Sequence, residues 1–305
     1  MAFQGNGIFC TVNELLDEGR KSKSFSLHLR KKTKSSRAGG KRSTIRGRGM
    51  EFFESRPYVF QDEMRSIDWK VSARLDALHT KVFIEERSRP VFLAIDQRSS
   101  MFFGSVNCFK SVLAARIAAR LATAAINGGD YFGGAIFDQA QEYICPISGE
   151  RVNLARFFGL VANASQPRAK NSDDSLSWSI MLERITNRVH AGSAVFLLSD
   201  FFELGPGQRE RLYRLRKKSD VFALAIFDPL EEKLPALGTV AMAFGRDEIT
   251  FDSDNAILQK KYQLRFKERQ DQLGSLFSSQ DIPLLWFSTA DDLDIAMRRI
   301  FLGRW

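Results

Sequence analysis

Five short apolar segments dominate the hydrophobic pattern of this chain. They are VFLAID (91–96), YFGGAIFD (131–138), AVFLLSD (194–200), VFALAIFD (221–228) and PLLWFST (283–289). A strand that is apolar at nearly every position is typically buried on both faces. Each segment therefore predicts a strand inside a sheet.

The stretches between these segments carry apolar residues at helical spacing. One stripe recurs every four residues over 109–121 and is followed by two glycines, and further stripes begin near Trp178 and near Asn255. Thr289 with Asp292 three positions later predicts the cap of a terminal helix. Alternating strands and helices predict an α/β fold with a doubly wound, mostly parallel sheet.

Charge is unevenly distributed along the chain. The 305 residues carry a formal net charge of +9, yet residues 20–49 alone contain twelve Lys and Arg and no Asp or Glu. This basic N-terminal arm is poor in apolar residues, so we expect it to be mobile or partly docked. Binding of nucleic acid or of an acidic surface through residues 20–48 is one function that it allows.

Several classes of protein and of site are disfavoured by the sequence. No apolar run approaches the ~20 residues of a membrane helix, and the opening residues lack the pattern of a signal peptide, so we expect a cytoplasmic location. The 3 cysteines are scattered, which argues against disulfides and a cysteine zinc site. Motifs of phosphate-binding loops, serine nucleophile elbows and paired histidines are missing. We therefore expect a protein that is not an enzyme.

Four aspartates stand at the ends of predicted strands: Asp96, Asp138, Asp200 and Asp228. Parallel α/β sheets bind ligands outside the carboxyl ends of their strands, so these carboxylates are candidates for a binding site. The alternative for each one is that it caps the next helix or anchors a turn.

A dense charged and aromatic segment precedes and includes the first apolar strand. Its ordered pieces are GRGMEF (47–52), RPY (56–58), DEMRSIDW (62–69), SAR (72–74), KVFIEER (81–87) and IDQRSSMFFG (95–104). In these motifs the chain closely resembles the DUF58 family, whose core is a von Willebrand factor A-like, Rossmann-like domain. The resemblance covers most of residues 43–302.

The resemblance also implies where a metal would bind. Domains of the von Willebrand A type hold a divalent cation with D-x-S-x-S and a distant acid, and Asp96, Ser100 and Asp200 match three of these positions. The middle position is Arg98, whose guanidinium cannot ligate Mg²⁺. The loop that would supply the family's Thr offers Asp174 or Ser175 instead. We expect a degenerate site with no cofactor, in which Arg98 replaces the charge of the metal ion.

The signature segment supplies a second group of candidate residues: Arg56, Tyr58, Asp62, Arg65, Asp68, Trp69, Arg74, Glu85 and Glu86. Carboxylates and arginines so close in sequence can pair. We interpret the segment as an ion-pair network with Trp69 packed beneath it. The alternative is a binding surface.

These patterns lead to an expected organisation and function. Residues 1–45 are expected to form an N-terminal segment with the basic arm, 46–90 the signature segment packed on the core, and 91–305 the von Willebrand A-like domain. Genes of the family commonly neighbour MoxR-type AAA+ ATPases and other von Willebrand A-like proteins, which implies a protein-interaction module that acts as an adaptor or assembly factor. Metal-dependent hydrolysis at the strand-end acids is a further alternative, which Arg98 disfavours.

Overall fold

The computed structural model describes residues 7–24, 50–60, 62–85, 90–139, 141–166, 176–244 and 247–301. These residues fall into two compact units, one within 1–29 and 89–305 and the other within 30–88. We call the first the α/β unit and the second the signature unit. Most of the basic arm, residues 25–49, lies outside the described residues, so its mobility and its binding of nucleic acid stay predictions.

The strands and helices of the described residues are bounded as follows. The strands are β1 (Met50–Pro57), β2 (His79–Glu85), β3 (Val91–Asp96), β4 (Phe132–Phe137), β5 (Glu142–Ser148), β6 (Ala194–Ser199), β7 (Asp220–Phe227), β8 (Thr239–Phe244), β9 (Asp247–Asp252) and β10 (Leu284–Ser288). The helices are α1 (Val12–Arg20), α2 (Trp69–Leu75), α3 (Lys110–Asn127), α4 (Val152–Ala164), α5 (Trp178–Arg188), α6 (Arg209–Lys218), α7 (Pro229–Glu232), α8 (Ala256–Ser278) and α9 (Leu293–Phe301).

The α/β unit is built on a sheet of six strands in the order β10-β7-β6-β3-β4-β5. The five strands predicted from the apolar segments are its parallel members. At one edge β5 pairs with β4 in the antiparallel direction. The prediction of a mostly parallel, doubly wound α/β sheet is confirmed, and β5, which contains Pro146 as an edge strand can, is an addition to it.

Alternate residues of the central strand β3 face two separate cores. Val91, Leu93 and Ile95 pack with apolar side chains of α1, α3, α4 and α9. Phe92 and Ala94 pack with side chains of α5, α6 and α8 on the opposite face. Because of this two-residue alternation, helices cover both faces of the sheet. Because the five parallel strands run in the same direction, their carboxyl ends lie at one edge.

The N-terminal helix α1 is held on α3 by ion pairs at matching spacing. Glu14 and Glu18 are one helical turn apart, as are Arg116 and Arg120. The Nη2 atom of Arg116 lies 2.5 Å from Glu14, and that of Arg120 lies 2.7 Å from Glu18. Leu15 lies between the two glutamates in sequence and is fully buried in the core. Residues 12–20 are therefore part of the α/β unit.

The start of α9 differs from its prediction. Asp292 Oδ1 accepts hydrogen bonds from the backbone N–H groups of Asp294 at 2.8 Å and Ile295 at 3.2 Å, so Asp292 caps this helix. The hydroxyl of Thr289 instead donates to the carboxylate of Asp228. The predicted Thr289–Asp292 capping pair is wrong, because Asp228 binds the hydroxyl of Thr289.

The signature unit contains an antiparallel pair of strands, β1 and β2, with an irregularity in register between Phe52 and Glu54. A short bridge joins Ile67 to Thr80 of β2. Helix α2 follows and ends at Asp76, whose φ of 50° lies in the left-handed region. The chain thus returns from α2 to β2 through a tight turn.

Candidate functional site

The carboxyl edge of the large sheet brings the strand-end aspartates into two kinds of environment. Asp138 and Asp228 accept hydrogen bonds from backbone N–H groups that follow them closely in sequence. The backbone N–H of Gln141 donates to Asp138 Oδ1 at 2.8 Å, and that of Leu230 donates to Asp228 Oδ1 at 2.9 Å. Asp138 therefore anchors a turn and Asp228 caps the next helix, which is the alternative to a binding role. Asp96 and Asp200 instead form ion pairs.

Asp96 is almost completely buried and both of its carboxylate oxygens are occupied. The guanidinium of Arg98 donates to them bidentately, from Nε to Oδ1 at 3.0 Å and from Nη2 to Oδ2 at 2.8 Å. The backbone N–H of Arg98 adds a bond to Oδ1 at 3.0 Å, and the hydroxyl of Ser199 donates to Oδ2 at 2.7 Å. Four donors thus fill about the four acceptor positions of a carboxylate.

The guanidinium of Arg98 is held by further contacts. Its Nη1 donates to the backbone oxygen of Leu176 at 2.9 Å. Its Cζ lies 5.1 Å from the ring centroid of Trp178, a distance typical of a cation–π contact. Trp178 is itself fixed, because its Nε1 donates to the backbone oxygen of Phe202 at 2.7 Å. The Asp96–Arg98 pair is therefore ordered by the α5 side of the unit.

A second buried cation, Lys110, pairs with Asp200. Lys110 is the first residue of α3 and is only 2% exposed. Its Nζ donates to Asp200 Oδ2 at 2.8 Å and to Glu231 Oε1 at 2.6 Å. The other oxygen of Asp200 accepts from the backbone N–H of Phe202 at 2.9 Å. Ser100 also lies close enough to Asp200 to contribute to the lowering of its pKa, so this residue of the predicted site is near the distant acid.

The ion pair determines the protonation of both partners. Burial by itself raises the pKa of Asp200, but the charge and hydrogen bond of Lys110 outweigh it, so the pKa lies below its ordinary value. Burial lowers the pKa of Lys110, and the charges of Asp200 and Glu231 outweigh it in the opposite direction. Both groups are therefore charged near neutral pH, and Lys110 does not have the depressed pKa of a nucleophilic lysine.

The backbone that presents Asp200 adopts an unusual conformation. Phe201 has a φ of 53° and Glu203 a φ of 65°, in a region that non-glycine residues rarely occupy. The ring of Phe201 stacks on Trp178 at 5.4 Å and contacts Phe277 at 5.0 Å. Arg269 also donates to the backbone oxygen of Phe201. These contacts stabilise a turn that would otherwise cost about 1–3 kcal/mol.

Asp228 connects three loops of the same edge. It accepts from the backbone N–H of Ser105 at 2.8 Å, from the hydroxyl of Ser105, and from the hydroxyl of Thr289. Its own backbone N–H donates to Glu231 Oε2 at 2.9 Å. Burial opposes the ionised form, but the hydrogen bonds of Ser105 and Thr289 lower the pKa of Asp228 below its usual range. Because Glu231 also binds Lys110, the two polar clusters are linked.

The arrangement of donors does not fit a divalent cation. The oxygens of Asp96 already accept four hydrogen bonds, two of them from the Arg98 guanidinium, and Asp200 faces the ammonium of Lys110. In the described part of the chain, no group of three or more His, Cys, Asp or Glu side chains is placed to hold a metal ion. Asp174 and Ser175, the suggested replacements for the family's Thr, lie outside that part. The absence of metal binding stays a prediction, for which a titration is described below.

Sequence reasoning missed Lys110 and Glu231. The available signal was a charged residue in the first turn of a largely apolar helix, since a buried charge requires a partner. The partners could not be read from the sequence, because Asp200 and Glu231 lie 90 and 121 residues further along the chain.

The signature unit contains only part of the predicted ion-pair network. Arg56 Nη2 lies 2.5 Å from Asp62, which also accepts from the backbone N–H of Val59 at 3.0 Å. Asp68 instead caps α2 and accepts from the hydroxyl of Ser55 at 2.8 Å, a hydrogen bond that lowers its pKa.

The remaining signature residues have varied positions. Arg65 and Arg74 are exposed and form no ion pair with a described residue. The backbone N–H of Tyr58 donates to the oxygen of Leu78 at 2.8 Å. Glu85 ends β2, and Glu86 lies outside the described residues.

Large apolar side chains of the signature unit are exposed. Phe60 is 93% exposed, Met64 70% and Trp69 65%. With the other exposed residues we call them the exposed apolar set, which comprises Val59, Phe60, Met64, Trp69, Leu75 and Leu78. The prediction that Trp69 packs beneath the ion pairs is wrong, because the neighbouring Asp68 is the buried residue and Trp69 opens α2 on its exposed side.

Comparison with known proteins identifies the family. The family model described as "Protein of unknown function DUF58" matches residues 54–272, well over half of the chain. The chain belongs to the DUF58 family. The match includes most of the signature unit and both ion pairs of the sheet edge.

DUF58 relatives are themselves uncharacterised. The uncharacterized proteins Rv1480 of Mycobacterium tuberculosis and Mb1516 of Mycobacterium bovis are each 31% identical to this chain over 199 residues. The matches cover 65% of this chain and 61% of each relative. The chain therefore spans less than two thirds of the relatives that it matches, and no catalytic function is indicated for them.

Comparison with solved structures gives partial likenesses to this DUF58 protein. BatB from Bacteroides thetaiotaomicron has a TM-score of 0.45 at 16% identity, and an aerotolerance-related membrane protein from Bacteroides fragilis has 0.44 at 13%. Each comparison covers 70% of this chain and 96% of the other. Likenesses of this strength establish no shared function.

The expected cytoplasmic location is corrected by these comparisons. The similar structures include the membrane protein from Bacteroides fragilis and a membrane spanning protein from Vibrio fischeri. The expectation relied on the lack of an apolar run of membrane-helix length and of a signal-peptide pattern, neither of which tests association with a membrane by other means. Within the described residues, none of the helices combines the length and apolar composition that a membrane crossing requires.

Proposed function

We propose that this DUF58 protein is a non-enzymatic protein-interaction module, an adaptor or assembly factor that works with a MoxR-type AAA+ ATPase. The observation that carries the proposal is the exposure of Phe60 and Trp69 in the signature unit. Exposed aromatic side chains with large apolar neighbours are characteristic of surfaces that bind another molecule.

The composition around these residues favours a protein as the partner. Aromatic residues, Met and Arg are enriched in protein interfaces, and Trp and Arg are frequent among the residues that contribute most to affinity. The exposed apolar set is accompanied by the exposed Arg65 and Arg74, which form no ion pair with a described residue. The partner surface that fits is an apolar pocket with carboxylates at its rim.

The α/β unit supports this function as a fixed scaffold of the von Willebrand A type. Its strand-end carboxylates Asp96 and Asp200 are buried against Arg98 and Lys110, so neither is available to contact a partner directly. An interaction through the signature unit does not need a metal ion. A MoxR-type partner is supported by the gene neighbourhood that the family resemblance implies, and the sequence has no phosphate-binding loop of its own.

The proposal is tested by measuring the affinity of the purified full chain for a purified MoxR-type ATPase of the same organism, with ATP and with ADP. Trp69→Ala and Phe60→Ala should each weaken binding by about tenfold or more. Tyr213→Ala, a change of a half-exposed aromatic residue on α6, is the matched control and should leave the affinity unchanged.

Because Phe60 and Trp69 are exposed, both variants should keep the unfolding midpoint of the parent protein. Undiminished binding of the Phe60→Ala/Trp69→Ala double variant would remove the signature unit from the interface. Failure of the parent protein to bind the ATPase in either nucleotide state would reject this partner.

A further inference from the structure

Helix α8 carries an outward apolar line that the proposed interface does not use. Ile257 is 81% exposed and Leu264 is 55% exposed. They are seven residues apart, so they lie on one line along the helix, about two turns apart. Two large aliphatic side chains exposed on one line offer an apolar contact to a neighbouring surface.

Cations border this apolar line on both sides. At 100° per residue, Lys260 and Lys267 project to one side of it and Lys261 and Arg265 to the other. All four are exposed, and none makes an ion pair with a described residue. Acidic residues occur before and after this section, at Asp252, Asp254, Glu268 and Asp271.

The opposite side of α8 is fixed on the α/β unit, so the fold sets the direction in which the apolar line faces. The hydroxyl of Tyr262 donates to the backbone oxygen of Leu230 at 3.0 Å, and the ring of Phe266 lies 5.5 Å from that of Phe227. Leu273 and Phe277 are buried in the core. A rotation that buried Ile257 and Leu264 would break these contacts.

We propose that the outward face of residues 257–267 binds the surface of an anionic phospholipid bilayer. An apolar line between two rows of Lys and Arg fits the interface of such a bilayer, since the aliphatic side chains enter the acyl boundary while the lysine stems lie along it and their ammonium groups reach the phosphates. A nucleic-acid backbone fits less well, because Ile257 and Leu264 offer it no stacking surface. With two inserted side chains, binding should be reversible and dependent on salt.

The test is co-sedimentation of the full chain with vesicles of equimolar phosphatidylcholine and phosphatidylglycerol, and with phosphatidylcholine alone. The parent protein should bind only the anionic vesicles. Ile257→Ser/Leu264→Ser should weaken binding roughly tenfold, and Lys260→Gln/Lys261→Gln/Lys267→Gln roughly a hundredfold, because each cation contributes about fivefold. Lys217→Gln, an exposed cation on α6, is the control and should bind within about threefold of the parent.

The apolar variant separates this surface from the basic arm, which would bind anionic vesicles by charge alone. Unchanged binding of Ile257→Ser/Leu264→Ser would overturn the proposal. It would also be overturned if the lysine variant lost affinity for single-stranded polyuridylate while keeping its affinity for the vesicles. Binding to the ATPase is measured with different variants, so either proposal can fail without the other.

Discussion

The ammonium of Lys110 lies 2.8 Å from the carboxylate of Asp200, and both groups are buried at the carboxyl edge of the large sheet. Lys110 begins α3, which packs on β3, and Asp200 follows the neighbouring strand β6, so the pair joins a helix to the end of a strand. Arg98 binds Asp96 on the neighbouring strand end at 2.8 Å. The two acids that the family resemblance assigns to a metal are thus each neutralised by a side chain of the same chain.

The Lys110–Asp200 pair should be essential for stability. Lys110→Met leaves Asp200 buried without its cation, which should lower the free energy of unfolding by about 3–5 kcal/mol. Urea denaturation followed by circular dichroism measures the loss. Lys217→Met, which removes an exposed cation, should change stability by less than about 0.5 kcal/mol.

A double variant tests whether the loss comes from the unpaired carboxylate. Asp200→Asn in the Lys110→Met background should restore part of the stability, because it removes the buried charge. If both single variants and the double variant were within about 0.5 kcal/mol of the parent, the pair would have no structural importance.

Divalent cations should not stabilise the protein. Addition of Mg²⁺ or Mn²⁺ should change the unfolding temperature no more than sodium chloride of equal ionic strength, because Arg98 occupies both oxygens of Asp96. Differential scanning fluorimetry over a metal titration measures the effect. A saturable rise that Asp96→Asn abolishes would show a working metal site.

Much of the α/β fold follows directly from the sequence. Segments such as VFLAID are apolar at every position before the final Asp96, a pattern typical of a short strand covered on both faces. Strand β5 and the paired strands of the signature unit were less visible in the sequence. In β5 only Cys145 is buried and Pro146 interrupts the pattern, while β1 and β2 mix charged with apolar residues, so neither region has the continuous apolar run of a strand buried on both faces.

The candidate site was predictable only where its contacts are local. The Asp96–Arg98 pair spans two residues, and the sequence already indicates a cation beside that acid. Lys110 and Trp69 show the limit: the partners of Lys110 come from distant loops, and a tryptophan among charged residues fits a buried or an exposed position equally well. In the structure Asp68 is buried as the cap of α2, and the adjacent Trp69 is exposed.

The ion pair between Arg120 and Glu18 should hold α1 in place. Both side chains are almost fully buried, so Arg120→Met should cost about 3–5 kcal/mol and increase hydrogen exchange of the α1 amides. Arg20→Met is the control, because its pair with Asp17 is exposed and should contribute less than about 1 kcal/mol. Equal protection of α1 in Arg120→Met and the parent would contradict this role.

Stability should decline at both extremes of pH. The pKa of Asp200 is depressed in the folded protein, so its contribution is complete above the unfolded value of about 3.9 and is lost as pH falls through the lower folded pKa. The pKa of Lys110 is raised, so its contribution is complete below about 10.4 and is lost as pH rises through the folded pKa.

Urea unfolding from about pH 6 to about pH 2 tests the acidic limb. The parent protein should lose stability steeply below about pH 4. Asp200→Asn should be less stable near neutral pH, because Lys110 then keeps only Glu231 as an anionic partner. Its acidic limb should be shallower than that of the parent, since one carboxylate with a depressed pKa has been removed. Parallel pH profiles for the two proteins would mean that Asp200 has the same pKa in the folded and unfolded states, which the buried contact with Lys110 does not allow.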